Sequence, residues 1–209
     1  MKHCIFGAGG FGRETLTCII DIELANDGNS EPEVVFMVDD EFYTTDTIMN
    51  FPVIKRSEFD PKIYKVSVAI GDPKKRRAAV ESLPQETVFA TIIHPSAIIS
   101  QWVTVGEGSI ITAGVIATCG ISIGDHTHLN LQTTIGHDCK IGDYFTTAPG
   151  TNISGNCTFG DNVYFGTNAS AKDNIAICND VIIGMGAVVV KEITEMGVYV
   201  GNPLRQLDI

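Results

Sequence analysis

Residues 135–160 read IGHDCKIGDYFTTAPGTNISGNCTFG, and an apolar residue stands at every sixth position of this stretch except at Thr147. The whole series, without a slip of register, is Ile99, Val105, Ile111, Ala117, Ile123, Leu129, Ile135, Ile141, Thr147, Ile153, Phe159, Phe165, Ala171, Ile177, Ile183 and Val189. A helix repeats after about 3.6 residues and a sandwich strand after about 2, so neither produces this spacing.

The charged residues of this region avoid the apolar series. Most of them stand two or three positions after an apolar member, and a glycine often stands directly after it, as a tight corner requires. A period of six with an inward aliphatic side chain and a glycine corner is typical of a parallel β-helix, whereas an irregular β-sandwich would lose register. Three hexads make one triangular coil, so residues 18 apart should stack at the usual strand separation of about 4.8 Å.

The first part of the chain has a different pattern. Short apolar runs alternate with amphipathic stretches, which predicts strands at 4–6, 34–38, 66–70 and 88–93 and helices at 13–24 and 73–83. Strands alternating with helices indicate a small doubly wound parallel sheet. We therefore expect a Rossmann-like domain in residues 1–94, a β-helix in residues 95–195 and a tail in residues 196–209.

Composition excludes several classes of partner. The 209 residues contain 14 Lys and Arg against 25 Asp and Glu, a net charge of −11, whereas a nucleic acid or an acidic membrane surface requires a concentrated positive surface. We find no apolar run long enough to span a bilayer and no signal peptide at the N-terminus. The six cysteines lack paired metal-knuckle spacing. We expect a soluble, cytoplasmic protein, with Cys139 and Cys157 stacked as reduced thiols in the core.

A glycine-rich turn follows the first strand and precedes the first helix. Residues 7–12, GAGGFG, fit the G-x-G-x-x-G pattern, which lets backbone N–H groups approach a phosphate, although a plain tight turn is the alternative. Asp39 and Asp40 end the second strand, where the fingerprint expects an acidic residue; a solvated turn is the alternative for them. Because the domain is about half of a dinucleotide fold, a single nucleotide or a nucleotide-sugar fits better.

A further strand-to-helix corner lies on the same carboxyl edge of the sheet. It consists of Gly71, Asp72 and Pro73, and ligands bind at this edge in open α/β sheets. The basic run at residues 74–77 follows it. We expect most of that run to be solvated, with one cation turned toward a phosphate.

Four histidines are candidates for a site. His94 precedes Pro95 at the domain junction, which favours a boundary role. His126 and His128, two apart, raise the possibility of a metal site, although glycine corners rather than further ligands surround them. His137 stands on an outward turn.

The surroundings of His137 suggest acyl transfer. Gly155 lies 18 residues later, so its backbone N–H should lie about one strand spacing from the imidazole. Acyl transfer requires a base for the nucleophile and a donor for the oxyanion, and these two groups could supply both.

The layout resembles the bacterial sugar acetyltransferases of the PglD and NeuD type, which are hexapeptide acyltransferases acting on nucleotide-linked amino sugars or on sialic acid. The resemblance covers nearly the whole chain. It rests on residues 5–12 (IFGAGGFG), 38–40 (VDD), 69–72 (AIGD), 94–97 (HPSA), 136–139 (GHDC), 148–150 (APG) and 200–203 (VGNP).

The resemblance implies a left-handed coil, a homotrimer with active sites between subunits, acetyl-CoA as cosubstrate and no metal. It implies His137 as the catalytic base, Asp138 as the group that orients it, and Gly155 as the donor to the thioester oxygen. The implied nucleotide-sugar contacts are Gly9, Gly10, Phe11, Asp39, Asp40, Gly71, Asp72 and Arg76. The implied acetyl-CoA contacts are Thr146, Thr167 and Met185.

The chain departs from some members of the family, which have Glu at position 138, Ser at 9 and His at 11 and 146. These differences bear on the reach of Asp138 and on the choice of nucleotide and sugar. The expected activity is N-acetylation of a nucleotide-linked amino sugar at its C4 amine, in surface-glycan biosynthesis. The alternatives are a sugar or sialic acid O-acetyltransferase, a zinc-dependent hydratase using His126, His128 and His137, and a non-catalytic nucleotide-sugar-binding protein.

Overall fold

The computed structural model of the chain describes residues 1–26 and 32–207. Part of the polar loop after the first helix and the last two residues of the expected tail lie outside them. The predicted fold class is confirmed, because a small α/β domain is followed by a parallel β-helix. Within the described residues, no helix has the length and apolar character needed to cross a membrane.

The elements of the first domain are β1 (Lys2–Phe6), α1 (Gly10–Asn26), β2 (Val34–Val38), β3 (Thr47–Ile48), β4 (Phe51–Lys55), β5 (Tyr64–Val68), α2 (Pro73–Glu81) and β6 (Val88–Phe89), with 3-10 turns at Asp40–Phe42 and Arg56–Glu58. The six strands form one sheet in the order β3-β4-β2-β1-β5-β6. All strand pairs of this sheet are parallel except the β3–β4 hairpin.

Glycines bring α1 close to the end of β1. A Cβ at Gly12 would overlap the carbonyl group of Gly7, and Gly7 itself has φ +113°, which a residue with a side chain rarely adopts. The glycine-rich turn therefore allows the close packing of strand and helix as well as an approach to its backbone N–H groups.

The hairpin strands β3 and β4 were missed by the sequence analysis. Pro52 lies inside β4, and proline in an apolar run argues against a strand because it has no N–H to donate. In the structure Pro52 pairs with Thr47 of the short outer strand, so β4 tolerates it.

The coil has three faces, each a parallel sheet. The strands are β7 (Ile92–Ile93), β8 (Ile98–Ile99), β9 (Val103–Val105), β10 (Ile110–Ile111), β11 (Ile116–Ala117), β12 (Ile121–Ile123), β13 (His128–Leu129), β14 (Thr134–Ile135), β15 (Lys140–Ile141), β16 (Thr146–Thr147), β17 (Asn152–Ile153), β18 (Thr158–Phe159), β19 (Tyr164–Phe165), β20 (Ser170–Ala171), β21 (Ala176–Ile177), β22 (Val181–Ile183), β23 (Val188–Val189), β24 (Gly197–Val200) and β25 (Arg205–Gln206). The first face contains β7, β10, β13, β16, β19 and β22 and continues into β24 and β25. The second face contains every third strand from β8 to β23, and the third face every third strand from β9 to β21.

Residues 18 apart pair in the coil, as predicted. Ile111 pairs with Leu129, and Leu129 with Thr147. From Ile111 onward the series fills a continuous buried core. Thr147, its one polar member, is buried as well, and its hydroxyl lies 2.7 Å from that of Thr133 and accepts from the N–H of Asn130 at 3.0 Å. Cys139 and Cys157 lie in the same core as free thiols, as expected.

Glycine is required at the corners for a different reason from the one expected. Gly136 does not have positive φ, and the left-handed conformation falls two residues later, on Asp138 with φ 58°. A Cβ at Gly136 would lie 2.6 Å from the backbone nitrogen of Gly155 in the next coil. Glycine is needed because successive coils approach closely, and not because the corner itself requires positive φ.

The strand expected at residues 88–93 is two strands. β6 pairs with β5 in the first domain, whereas β7 pairs with β10 in the coil. The chain changes sheets between them at Ala90, which is buried. The division at residues 94 and 195 stays a prediction.

Candidate active site

His137 and Asp138 occupy the corner between β14 on the second face and β15 on the third. The Nδ1 atom of His137 lies 2.8 Å from Oδ2 of Asp138, so the shorter aspartate reaches the ring. A carboxylate only accepts, so Nδ1–H donates, and in the neutral ring the lone pair is on Nε2. About two thirds of each side chain is exposed, 63% and 66%. Nε2 can therefore take a proton from a ligand.

Gly155 lies against this imidazole. A Cβ built on Gly155 would lie 2.6 Å from Nε2 of His137 and 2.7 Å from Cε1. The N–H of Asn156 donates to the carbonyl of His137 at 2.7 Å, which ties the two corners together. Within the described residues the N–H of Gly155 has no hydrogen-bond acceptor. An imidazole and a free amide donor thus lie side by side, as the 18-residue spacing predicts, and their catalytic roles stay predictions.

A cleft of about 740 Å³ opens at the carboxyl edge of the first domain. Its lining comes from the end of β1 and the turn after it (Phe6, Gly7, Ala8, Gly9), the end of β2 and the residue after it (Val38, Asp39), the following segment through β4 to the residue after it (Phe42, Thr44, Thr45, Ile48, Val53, Arg56), and Ile70 with α2 and its C-cap (Lys75, Ala78, Ala79, Ser82). Its volume suits a small-molecule ligand. Of the predicted contacts, Gly9 and Asp39 lie here.

Two predicted acidic contacts have local structural partners, and their contact with a ligand stays a prediction. Asp40 accepts from the N–H of Ser57 at 3.0 Å and lies outside the cleft lining. Asp72 is the N-cap of α2 and accepts from the N–H of Lys75 at 3.0 Å. Sequence pattern cannot separate Asp39 from Asp40, because both follow the same strand.

A second cavity, of about 230 Å³, lies between the first domain and the coil. Its lining includes Phe11 and Gly71 from the first domain and Thr146 and Thr167 from the coil, which brings predicted nucleotide-sugar contacts beside predicted acetyl-CoA contacts. The hydroxyl of Thr146 already accepts from Arg76 at 2.7 Å. Met185 lies elsewhere, 78% exposed. Gly10 begins α1 and has open space around its Cα.

Arg76 is not a ligand contact, and this prediction is corrected. Its side chain is completely buried, and burial lowers the pKa of the guanidinium to about 9. Its N–H groups face the carbonyls of Ile70, His126 and Tyr144 at 2.7–2.9 Å, Nδ1 of His128 at 3.1 Å and the hydroxyl of Thr146. Arg76 therefore fastens α2 of the first domain to the first face of the coil.

His126 and His128 belong to this same junction and do not form a metal site. Nε2–H of His128 donates to the carbonyl of Val68 at 3.0 Å, and Nδ1 accepts from Arg76, so both ring nitrogens are engaged. The ring of His126 stacks on Tyr144 at 5.3 Å. His137 lies at a different corner, and the described part of the chain has no group of three His, Cys, Asp or Glu side chains suited to a metal.

The sequence analysis missed Arg56, which lies in the cleft. Its Nη1 donates to Oδ1 of Asp39 at 3.1 Å, and its Nη2 donates to the carbonyl of Ser82 at 2.7 Å. Arg56 follows β4 at the carboxyl edge of the sheet, so the unpredicted strand explains the omission. His94 has the boundary role favoured for it, since its ring bridges Asp21 of α1 and Ser96 of the coil.

A hexapeptide β-helix in which an imidazole packs against a glycine of the next coil is typical of the hexapeptide acyltransferases. Residues 2–83 match the family model of the PglD N-terminal domain. The GDP-perosamine N-acetyltransferase of Escherichia coli O157:H7 is 34% identical over 186 residues, covering 87% of this chain and 82% of that protein. The chain belongs to the PglD-type family of sugar acetyltransferases.

Solved structures agree over the whole chain. The acetyltransferase domain of PglB from Neisseria gonorrhoeae FA1090, in complex with acetyl coenzyme A, is 28% identical with a TM-score of 0.88, covering 99% of this chain and 98% of that one. WeeI from Acinetobacter baumannii AYE is 31% identical with a TM-score of 0.89, covering 99% and 100%. The fold of both domains and their mutual arrangement are therefore those of this family.

The role of Arg76 is tested by Arg76→Met. We expect a loss of at least about 3 kcal/mol in the free energy of unfolding, because several buried carbonyls would lose their donor. The matched control is Arg77→Met, which removes a partly exposed ion pair with Asp161 at 2.9 Å and should cost about 1 kcal/mol or less. Urea unfolding measures both, and equal losses would contradict the role.

The buried histidines predict a pH dependence of stability. Burial lowers the pKa of His3 and of His126 to about 4, and that of His128 well below 6.5. Below about pH 6.5 the unfolded chain binds protons that the folded chain does not. The contribution of the neutral histidines to stability is therefore fully present above that pH, and the free energy of unfolding falls as the pH decreases toward about 4. We expect urea midpoints to drop between pH 7 and pH 5, less steeply in His3→Gln; a flat profile would overturn this.

Proposed function

We propose that the chain transfers an acetyl group from acetyl-CoA to the C4 amine of a nucleotide-linked amino sugar. The observation that carries the proposal is the contact of the His137 imidazole with Gly155, with Asp138 on the far side of the ring. Family membership supports it, and the relative that is 34% identical is named for N-acetylation of a GDP-linked amino sugar.

The geometry accounts for each step of the transfer. The sugar amine attacks the thioester carbonyl carbon, and a C–N bond forms while the amine proton passes to Nε2 of His137. The carbonyl oxygen becomes an oxyanion, and the N–H of Gly155 donates to it. The C–S bond then breaks, and the proton on Nε2 passes to the departing CoA sulfur. Asp138 keeps Nδ1 protonated and stabilises the imidazolium throughout.

The active site would be shared between subunits of a homotrimer. The first domain is fastened to the first face, by Arg76 to Thr146 and by contacts of α1 with β7. His137 lies at the corner between the second and third faces, which is opposite the first face of a triangular prism. A nucleotide-sugar held in the cleft could therefore reach the His137 of a neighbouring subunit, and not that of its own chain.

The proposed trimer gives roles to further predicted contacts. Thr167 and Met185, 18 apart, lie at the corner between the first and second faces. Acetyl-CoA would lie along the outside of the coil where this corner of one subunit meets the His137 corner of another. Gly9 and Gly10 would face the phosphates at the start of α1. A cytoplasmic role in surface-polysaccharide synthesis belongs to the same proposal.

His137→Ala tests the base. We expect the fold to persist, because the side chain is exposed, and acetyl transfer to fall at least about 100-fold. Thiol release from acetyl-CoA is measured with a panel of nucleotide-linked 4-amino sugars and their hydroxyl counterparts. Lys191→Ala, an exposed corner residue three coils further on, should keep wild-type turnover. Gly155→Ala should also lose activity, since its methyl would displace the imidazole. Retained turnover in His137→Ala would show that another group is the base.

Mixed trimers test the shared site. Ala78→Trp should close the cleft, so it and His137→Ala are each expected to be inactive alone. After random mixing, about a quarter of the subunit boundaries would join an intact His137 to an open cleft, and about that share of wild-type activity should return. A mixture that stays inactive while still trimeric would place the cleft and the base in one chain.

A further inference from the structure

Gly120 occupies the same corner position as Asp138, one coil earlier. It lies between β11 on the second face and β12 on the third, just as Asp138 lies between β14 and β15. Both residues have left-handed backbone conformation, with φ +65° at Gly120 and 58° at Asp138. The N–H of Asp138 donates to the carbonyl of Cys119 at 3.0 Å, which holds the two corners in register. The side chain of Asp138 therefore has Gly120 as its neighbour in the preceding coil.

The carboxylate of Asp138 uses the space that a side chain at position 120 would fill. A Cβ built on Gly120 would lie 2.5 Å from Oδ1 of Asp138, but 3.5 Å from the backbone nitrogen and 3.6 Å from the Cα of that residue. Only the carboxylate is too close, since the two backbone distances are ordinary contacts. Oδ2 of the same carboxylate lies 2.8 Å from Nδ1 of His137. The carboxylate thus lies between the bare Cα of Gly120 and the imidazole.

Polar side chains at comparable corner positions are bonded along the coil. Nδ2 of Asn162 donates to Oδ1 of Asp180, 18 residues further on, at 3.1 Å, and both residues have left-handed φ, 56° and 60°. Asn156 and Asn174, at the same corner as Asp138, are joined in the same way. An asparagine one coil earlier therefore engages the polar side chain that follows it.

Asp138 is not engaged in this way, because position 120 has no side chain. Within the described part of the chain, the only hydrogen bond of its carboxylate is the one to His137. Asp138 and Asp180 share the corner conformation and differ in the preceding residue of the column, which is glycine for one and asparagine for the other. An asparagine at position 120 would compete with the imidazole for the carboxylate.

The loss of this carboxylate would change the protonation pattern of the ring. Nδ1–H would lose its acceptor, and the proton of the neutral imidazole could move to Nε2. Nε2 is the atom whose lone pair takes the proton of the amine in the proposed transfer, so a ring protonated there cannot act as the base.

We propose that Gly120 is a positioning residue of the active site, because its lack of a side chain leaves the carboxylate of Asp138 to the imidazole of His137. The inference rests on the proposed function, since it takes His137 as the base and Asp138 as the group that orients it. It adds a residue one coil away that acts through Asp138.

Gly120→Asn tests the inference. Asparagine tolerates left-handed φ, and the variant would repeat the Asn162–Asp180 pair beside His137. We expect kcat for thiol release to fall at least about tenfold, while KM for acetyl-CoA changes less than about twofold, because the change affects the base and not the binding of the cosubstrate. Gly120→Ala, whose methyl group would displace Oδ1, should act in the same direction.

The matched control is the same substitution without the carboxylate. In the Asp138→Ala background the carboxylate that a Cβ at position 120 would crowd is absent, so the double variant and Asp138→Ala should have equal kcat. Gly114→Asn changes another left-handed glycine, whose Cβ would meet only Gln132 at 3.4 Å or more. It should match Gly120→Asn in its urea midpoint, which shows that any loss of activity is not a loss of fold.

A spectroscopic measurement gives a readout that does not depend on activity. NMR of the protein with isotope-labelled histidine rings at about pH 8 reports which ring nitrogen carries the proton, and the His137 signal is the one missing in His137→Ala. We expect the Nδ1–H tautomer in the wild type and in Gly114→Asn, and a gain of the Nε2–H tautomer in Gly120→Asn.

Three results would overturn the inference: an unchanged kcat in Gly120→Asn, an unchanged tautomer in that variant, or the same loss of kcat with and without Asp138. The proposed acetyl transfer would survive each of them as long as the wild type releases thiol and His137→Ala does not. Conversely, a wild type without thiol release would overturn the proposed function, whereas a tautomer that changes as expected would still support the effect of Gly120 on the ring.

Discussion

The close stacking of successive coils is the constraint on which the rest of the structure depends. Residues 18 apart approach at strand spacing, so a corner position can lie against a polar side chain of the neighbouring coil only if its own side chain is absent or small. Gly155 meets this condition, and the ring of His137 occupies the space that a Cβ would need. The same approach places a backbone amide beside the ring nitrogen. The proposed base and the proposed oxyanion donor are thus products of one register, and no separate loop has to be ordered to bring them together.

The second requirement is a firm joint between the domains. Arg76 supplies it by filling the space between α2 and the first face and by donating to carbonyls on both sides. A buried guanidinium is strongly disfavoured without such partners, so the joint has one good geometry and few alternatives. This joint also orients the first domain, because it turns the cleft away from the chain's own His137 corner. This orientation is the reason why we propose a site between subunits.

The repeat could be predicted from sequence because its signal is periodic and local. Each apolar position, glycine and outward charge repeats the same information many times, and the contact of His137 with Gly155 follows from the period alone. The first domain offered no such redundancy. Pro52 concealed β4, and with it Arg56. The pattern could not tell Asp39 from Asp40, and nothing in the basic run at residues 74–77 indicated that Arg76, expected as a ligand contact, is buried. The role of each of these side chains depends on contacts with residues far away in the sequence. A local sequence pattern does not contain that information.

The two halves of the proposed site therefore differ in how they can change. The His137 and Gly155 pair is fixed by backbone register, so altering it disturbs the stacking of coils. The cleft is formed by side chains at strand ends and on one helix, among them Phe42, Arg56 and Ala78, and the coil makes no demand on their identity. Under the proposed function, a substitution there would change which nucleotide fits while the reaction stays the same. The departures of this chain from some of its family fall on positions 9 and 11 of the first domain, on Thr146 at the joint, and on Asp138, whose shorter carboxylate still reaches the imidazole. Under the proposed function, such a separation would let one chemistry serve different nucleotide-sugars.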